Sequence, residues 1–281
     1  MSVIKVSNLT YTYLGSEKPT LKEINLVIDK GEFVILTGPS GCGKTTFCRC
    51  FNGLIPHFYG GDLKGDVVVS GLAVRDHPTS ELSQYVGFVF QNPENQLFAL
   101  SVEKDVAFGL ENLGLERDEI RRRVEWALDM TEITHLRESA PYELSGGQQQ
   151  RVAIASVLAM QPEVIVLDEP TSFLDPLSAK KIFEVVSRLN TELKITIILV
   201  EHRLDLAVMY ANRVIVMDGG RIILSGHPRE VFNSEKAYLT GVGIPKTIRL
   251  FQLLREDGIE LAYVPITPDE TAQLIREALK L

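Results

Sequence analysis

One short stretch constrains this chain more than any other. Gly38-Pro39-Ser40-Gly41-Cys42-Gly43-Lys44-Thr45 fits the pattern G-x-x-x-x-G-K-[ST], which would arise by chance on the order of 1% of the time at this composition. The apolar run Phe33-Val34-Ile35-Leu36 precedes it, and Phe47, Cys50, Phe51 and Leu54 follow at helical spacing. The glycine-rich turn thus joins a buried strand to a helix. In that setting successive backbone N–H groups can face one anion, and the helix N-terminus adds partial positive charge. The residues expected to hold nucleotide phosphates are Gly38, Ser40, Gly41, Gly43, Lys44, Thr45 and Thr46. Lys44 is expected to reach the β- and γ-phosphates, Thr45 to offer its hydroxyl to Mg²⁺, and Thr46 to make a further phosphate contact.

A second half-site is written further on. Val164-Ile165-Val166-Leu167-Asp168-Glu169 is an apolar strand ending in two carboxylates, which places Asp168 at the carboxyl edge of a sheet, where a magnesium partner belongs. Glu169 can accept a proton from an attacking water or orient it. An acidic pair at such a place can also simply cap a helix. Leu144-Ser145-Gly146-Gly147-Gln148 opens a helix whose stripe is Val152, Ala155, Ser156 and Ala159. A serine at a helix N-terminus is a ready anion site, although Ser-Gly-Gly alone is an ordinary capping turn.

Around these motifs the pattern is α/β. Ile24, Leu26 and Ile28 alternate with period two, and Tyr85 to Phe90 reads as a strand. From Ser101 the period becomes helical, with Val102, Val106, Leu110 and Leu113 in one stripe ended by Gly114 and Ile120, Val124 and Leu128 in the next. Short apolar runs return at Val164 to Leu167, Ile195 to Val200 and Val214 to Met217, separated by helix-patterned sequence, as in a parallel sheet. Asp218-Gly219-Gly220 predicts a hairpin turn to Arg221 to Ser225. Pro228 opens a different tail, with Gly241, Gly243 and Pro245 and amphipathic segments at Ile248 to Leu254 and Thr271 to Leu279. It reads as a small appended domain.

Composition narrows the function. With 281 residues, 45% of them hydrophobic, the chain can bury a sizeable core. A formal net charge of -8 argues against a general nucleic-acid binder. Cys42, Cys48 and Cys50 lie close together, and a pair two apart on a helix points in different directions, which disfavours bridging or metal-ligand geometry, so they read as reduced, structural thiols. Met1 leads into Ile4, Val6 and Leu9 without a basic-then-apolar leader, and stretches such as Val152 to Met160 fall far short of the roughly 20 residues that span a bilayer. The expectation is a cytoplasmic protein that reaches any membrane through a partner.

In this order, the motifs resemble those of the ATP-binding cassette (ABC) ATPases over nearly the whole chain. The resemblance implies a P-loop fold of ABC type: a mostly parallel core sheet, an N-terminal antiparallel β subdomain, an inserted α-helical subdomain at about 92–160 and a small C-terminal domain. The nucleotide-binding domain would cover 1–227 and the C-terminal dimerisation domain 228–281. Tyr13 resembles the adenine-stacking aromatic, although on its own it reads as a packed strand residue. Gln91 resembles the Q-loop glutamine, a Mg²⁺ partner beside Thr45 and Asp168. Leu174-Asp175 resembles the D-loop and His202 the switch histidine, which alone would read as a structural histidine. Catalysis would then rest on Glu169, His202, Gln91 and Lys44, and Ser145, Gly147 and Gln148 would meet ATP bound to the phosphate loop of a second, identical or paralogous, chain.

Gln91-Asn92-Pro93-Glu94-Asn95-Gln96 and the tail are similar to those of the energy-coupling factor branch, which takes up metal ions and vitamins through a transmembrane T component and a substrate-binding S component. That branch implies an ATP- and Mg²⁺-dependent ATPase peripheral to the cytoplasmic face of the membrane. Phe173 stands where the family usually has alanine, and Gln149 where lysine or arginine is common. A soluble ABC ATPase of translation or DNA repair would usually carry two cassettes or a long coiled-coil insert, and neither is present. Glu169 and His202 disfavour a non-catalytic nucleotide sensor.

Overall fold

The computed structural model describes residues 1–279. Among the described residues, ten strands form two sheets. The first is antiparallel, ordered β2-β1-β4-β5, from β1 (Ser2–Thr12), β2 (Leu21–Asp29), β4 (Asp62–Val69) and β5 (Leu72–Ala73). The second is ordered β10-β9-β3-β8-β7-β6, from β3 (Phe33–Thr37), β6 (Val86–Val89), β7 (Val164–Asp168), β8 (Thr196–Val200), β9 (Arg213–Asp218) and β10 (Arg221–Gly226). Its pairings are parallel except for the β9–β10 hairpin. Gly219 and Gly220 make the hairpin turn with φ of 52° and 83°, the left-handed pair that matches the twist of the flanking strands.

The apolar runs that read as buried strands are buried on both faces, and their alternation divides the interior. Phe33, Ile35, Ile165, Leu167, Ile197 and Leu199 face one apolar cluster, which holds the long helices. Val34, Leu36, Val164, Val166, Ile198 and Val200 face the other, with the antiparallel sheet and Phe47 and Phe51. Period two thus places each strand between two cores.

The helices in chain order are α1 (Lys44–Arg49), α2 (Thr79–Leu82), α3 (Val102–Asn112), α4 (Arg117–Met130), α5 (Gly146–Ala159), α6 (Pro176–Leu193), α7 (Leu204–Ala207), α8 (Pro228–Phe232), α9 (Glu235–Leu239), α10 (Lys246–Glu256) and α11 (Pro268–Leu279). Of the stripes predicted for α3 and α4, Val102, Val106, Leu110, Val124 and Leu128 are buried and Leu113 and Ile120 half-buried, and Gly114 ends α3 at φ 69°. The stripe after the phosphate loop is shorter than its spacing suggested. Helix α1 stops at Arg49, Gly53 takes φ 77°, and Leu54 lies beyond it in an irregular turn with Pro56. Helix α5 lies against β6 because residue 87 has no side chain; a Cβ there would come within 2.0 Å of Val157 Cγ1.

The tail packs on the same core as the long helices, through Val231, Phe232, Val242, Ile248 and Ile266. Arg229 pins it by donating to Glu270 at 2.8 Å and to the Val264 carbonyl, with its guanidinium over the Tyr263 ring. The last two residues of the range expected for this domain lie outside the described residues. Among the described residues no helix is long and apolar enough to cross a membrane. The three cysteines are buried and unbridged, and burial raises the Cys48 and Cys50 thiols, which fits the inert structural role expected of them.

Candidate active site

Strand register assembles the site. Leu36 of β3 and Asp168 of β7 both pair with Val200 of β8, so the loops after these three strands leave the sheet at one level, at its carboxyl edge. The phosphate loop follows β3, Glu169 follows β7, and His202 follows β8.

The loop is closely fitted. At Gly38, φ is 151° and a Cβ would stand 2.1 Å from the Met217 carbonyl oxygen, so only glycine lets the loop pass β9 here. Lys44, 5% exposed, donates to the carbonyls of Gly38 at 2.9 Å and Pro39 at 3.0 Å. Thr45 Oγ1 donates to Asp168 Oδ1 at 3.1 Å. Burial raises the Asp168 carboxyl above the ordinary carboxylate range, and the bond from Thr45 pulls it partly back. Thr46 Oγ1 lies 3.0 Å from the Tyr13 hydroxyl, and the Tyr13 ring packs edge-on to Tyr11 and Tyr59. Tyr13 therefore combines the packed role with a place beside the loop.

Glu169 is the meeting point. It holds a left-handed backbone at φ 49°, uncommon for a residue with a side chain. Its Oε2 accepts from Gln91 Nε2 at 2.8 Å and from Ser172 Oγ at 3.1 Å, and His202 Nε2 lies 3.1 Å from Oε1. Two of the residues singled out in sequence, separated from Glu169 by 78 and 33 positions, thus reach one carboxylate. Ser40, Gly41, Gly43, Lys44, Thr45, Thr46 and Glu169 line a cavity of about 190 Å³ with Thr20.

Ser145, Gly147 and Gln148 do not line that cavity. They border a separate one of about 160 Å³ with Arg151, Ser178 and Lys181. Gln148 Oε1 accepts from the Ser145 N–H at 2.9 Å, the backward bond of a capping box. The two departures also acquire surroundings. Gln149 is buried and donates to the Pro141 carbonyl at 3.0 Å, latching the turn before Ser145. Phe173 is 77% exposed and, with Leu174, borders a cavity shared with Gln91 and Glu94. Ser172, Thr171 and Glu201 escaped sequence reasoning. Ser172 had a local signal, a hydroxyl three residues after Glu169; Glu201 had none.

The ABC transporter family profile matches residues 21–172. A Pyrococcus abyssi protein assigned as an ABC transporter ATP-binding protein is 48% identical over 98% of this chain and 100% of its own length. The energy-coupling factor transporter ATP-binding protein EcfA1 of Caldanaerobacter subterraneus is 41% identical over 97% of this chain and 98% of its own. Among solved structures, cbiO1 of Clostridium perfringens, part of the ABC transporter complex cbiONQ, superposes with a TM-score of 0.76 at 39% identity, covering 92% of this chain and 99% of that one. The ATP-binding cassette MJ0796, solved as a dimer in a post-hydrolysis state with ADP and Pi, superposes with a TM-score of 0.70 at 33% identity over 80% of this chain and 98% of its own. With its phosphate loop, its carboxylates at the sheet edge and these likenesses over nearly its full length, the chain belongs to the ABC transporter ATPases of the energy-coupling factor type.

Proposed function

We propose that this ATPase works as one half of a two-chain motor, in which MgATP on the phosphate loop of one chain is closed over by Ser145, Gly147 and Gln148 of a second, identical or paralogous, chain. The convergence of Gln91 and His202 on Glu169, beside the phosphate-loop cavity, carries the reading. The separation of the Ser145 cavity from that of the loop supports the need for a second chain, and so does the dimeric state of the MJ0796 cassette.

Thr45 Oγ1 and Asp168 Oδ1, 3.1 Å apart, are the hard oxygen pair that suits Mg²⁺, and Gln91, whose amide donates to Glu169, would join them as a third ligand. Bound there, the ion would neutralise phosphate charge and keep the buried Asp168 ionised. Lys44 and the loop N–H groups hold the phosphates. Glu169 orients the attacking water and takes its proton, and His202 and Gln91 fix the carboxylate for that task. Tyr13 lies beside the loop to meet the base. Loss of the γ-phosphate would remove the contact that holds the two chains closed.

The same reading makes the chain the peripheral motor, on the cytoplasmic face, of an importer for a metal ion or vitamin, coupled to membrane T and S components. Phe98 is 65%, Leu100 77% and Phe108 44% exposed, and the Phe98 and Phe108 rings meet edge to face at 4.7 Å. Phe98 and Leu100 lie between the Gln91 to Gln96 loop and α3, and Phe108 lies on α3; a membrane partner's helices would dock on this apolar surface. The domain division at 227/228, with dimer contacts from the tail, belongs to the same proposal.

The test is Glu169→Gln. ATP binding persists, turnover falls by about 10²-fold or more, and the variant with MgATP elutes as a dimer whose mass light scattering confirms. A variant that hydrolyses ATP at a near-parental rate, or stays monomeric with nucleotide bound, sinks the reading.

A further inference from the structure

A third carboxyl stands beside Glu169 and His202. Glu201 is 1% exposed, although glutamate is almost never fully buried unless paired. Its Oε2 accepts from the Thr171 hydroxyl at 2.5 Å, and its Oε1 accepts from the backbone N–H groups of His202 at 2.7 Å and Arg203 at 2.8 Å. All three donors are formally neutral, so these hydrogen bonds offset the desolvation of the carboxylate without an ion pair.

Where the bonds lead defines the role. Thr171 is fully buried two residues beyond Glu169, and His202 is the next residue after Glu201. One carboxylate therefore ties the turn that carries Glu169 to the turn that carries His202. Two further bonds run between the same segments, from the Glu169 N–H to the Val200 carbonyl at 2.9 Å and from Arg203 Nη1 to the Leu174 carbonyl at 2.8 Å. Among these ties Glu201 is the one made by a buried acid, and it contacts neither turn through the 3.1 Å pair of Glu169 and His202.

We propose that Glu201 is a positioning residue for ATP hydrolysis: strapped to Thr171 and to the His202 and Arg203 amides, its carboxylate fixes the Glu169 turn and the His202 turn in register. It takes no part in holding ATP, because neither it nor Thr171 lines the phosphate-loop cavity. The inference rests on the reading of Glu169 and His202 as the hydrolytic pair. Misplacement of catalytic groups by about 1 Å can lower a rate about 10²-fold with binding intact.

The test measures kcat, ATP affinity and melting temperature for Glu201→Ala, Glu201→Gln and Thr171→Val. Glu201→Ala lowers kcat by about ten- to a hundredfold and leaves ATP affinity within about twofold of the parent. Glu201→Gln recovers roughly half or more of the parental rate, because its Oε1 still accepts from both N–H groups and the Thr171 hydroxyl turns to accept from the amide. Thr171→Val slows turnover as well, and adding it to Glu201→Ala costs nothing more, since both act through one strap. A parental kcat for Glu201→Ala overturns the proposal. So does a loss that falls equally on ATP affinity and that Glu201→Gln does not restore. If Glu201→Ala does not fold, a parental kcat for Thr171→Val overturns it equally. Near-parental turnover by Glu169→Gln would defeat the hydrolytic pair instead, whereas an inactive Glu169→Gln beside parental Glu201→Ala and Thr171→Val defeats the strap alone.

Discussion

Lys44 illustrates how much of the site is decided within a few residues. A lysine only 5% exposed is tolerable because two carbonyls of its own loop accept from its ammonium, which with three donors has one left for a phosphate oxygen. Lys44→Ala would remove the charge-assisted contact proposed for it. ATP affinity, measured by titration calorimetry, is expected to fall about ten- to a hundredfold, the effect of losing roughly 1.5–3 kcal/mol. An affinity unchanged from the parent would place the phosphates elsewhere. Residues like Lys44, Thr45, Asp168 and Glu169 are legible in sequence because their chemistry depends on near neighbours: a glycine-rich turn before a helix, or an acidic pair ending an apolar strand. Glu201 reads as one more polar residue closing a strand. Its partner Thr171 lies 30 positions away, and only the pairing of β7 with β8 brings the two together. Gln149 is similar, a departure in sequence that folding turns into a latch on Pro141.

Among the elements, α3 is fastened to the segment that leads into Ser145. Its Val102 and Glu103 N–H groups donate to the carbonyls of Ser139 and Arg137, each at 3.0 Å, and Glu103 accepts from the Arg137 guanidinium. That hydrogen bond holds the Glu103 carboxyl below its ordinary value of 4.5. A carboxyl lowered by folding stabilises fully above its unfolded value, and the contribution vanishes as pH falls through the folded one. Both side chains are about a third exposed, so solvent limits the pair to about 0.5–1 kcal/mol. Glu103→Gln should therefore melt below the parent at neutral pH, and the gap should close as pH drops below 4.5. A gap independent of pH would assign the loss to packing. The helical stripes of α3 and α4 were readable because their period is local. The order of the strands was not: β6 sits at the sheet edge against β7, and β1 pairs with β4 across the whole phosphate loop. Such neighbours are chosen by connections that span many residues. The early end of α1 depends on Gly53 and Pro56, which a count of apolar spacing passes over.

For the molecule as a whole, the decisive property is that the two surfaces proposed to face nucleotide open into different cavities of one chain, the phosphate loop into one and Ser145 with Gly147 and Gln148 into the other. If each ATP needs both surfaces, two copies related by a twofold axis build two equivalent composite sites. Damage to one surface then spoils both sites of a symmetric pair, whichever surface is chosen. Lys44→Ala disables the loop, and Ser145→Arg blocks the other surface at an exposed position, at the cost of the α5 helix cap, about 0.5–2 kcal/mol. Each variant alone should hydrolyse ATP at a background rate. Mixed, they behave differently, because an unlike pair concentrates both defects in one site and leaves the other whole. In an equal mixture half of the dimers are unlike pairs with one intact site of two, so activity should recover to about a quarter of the parental rate. A steady-state assay across mixing ratios, with a maximum at equal amounts, would establish that a single copy carries only half of each site. A mixture that gives no more than the average of the two variants would mean that copies of this chain do not complete one another.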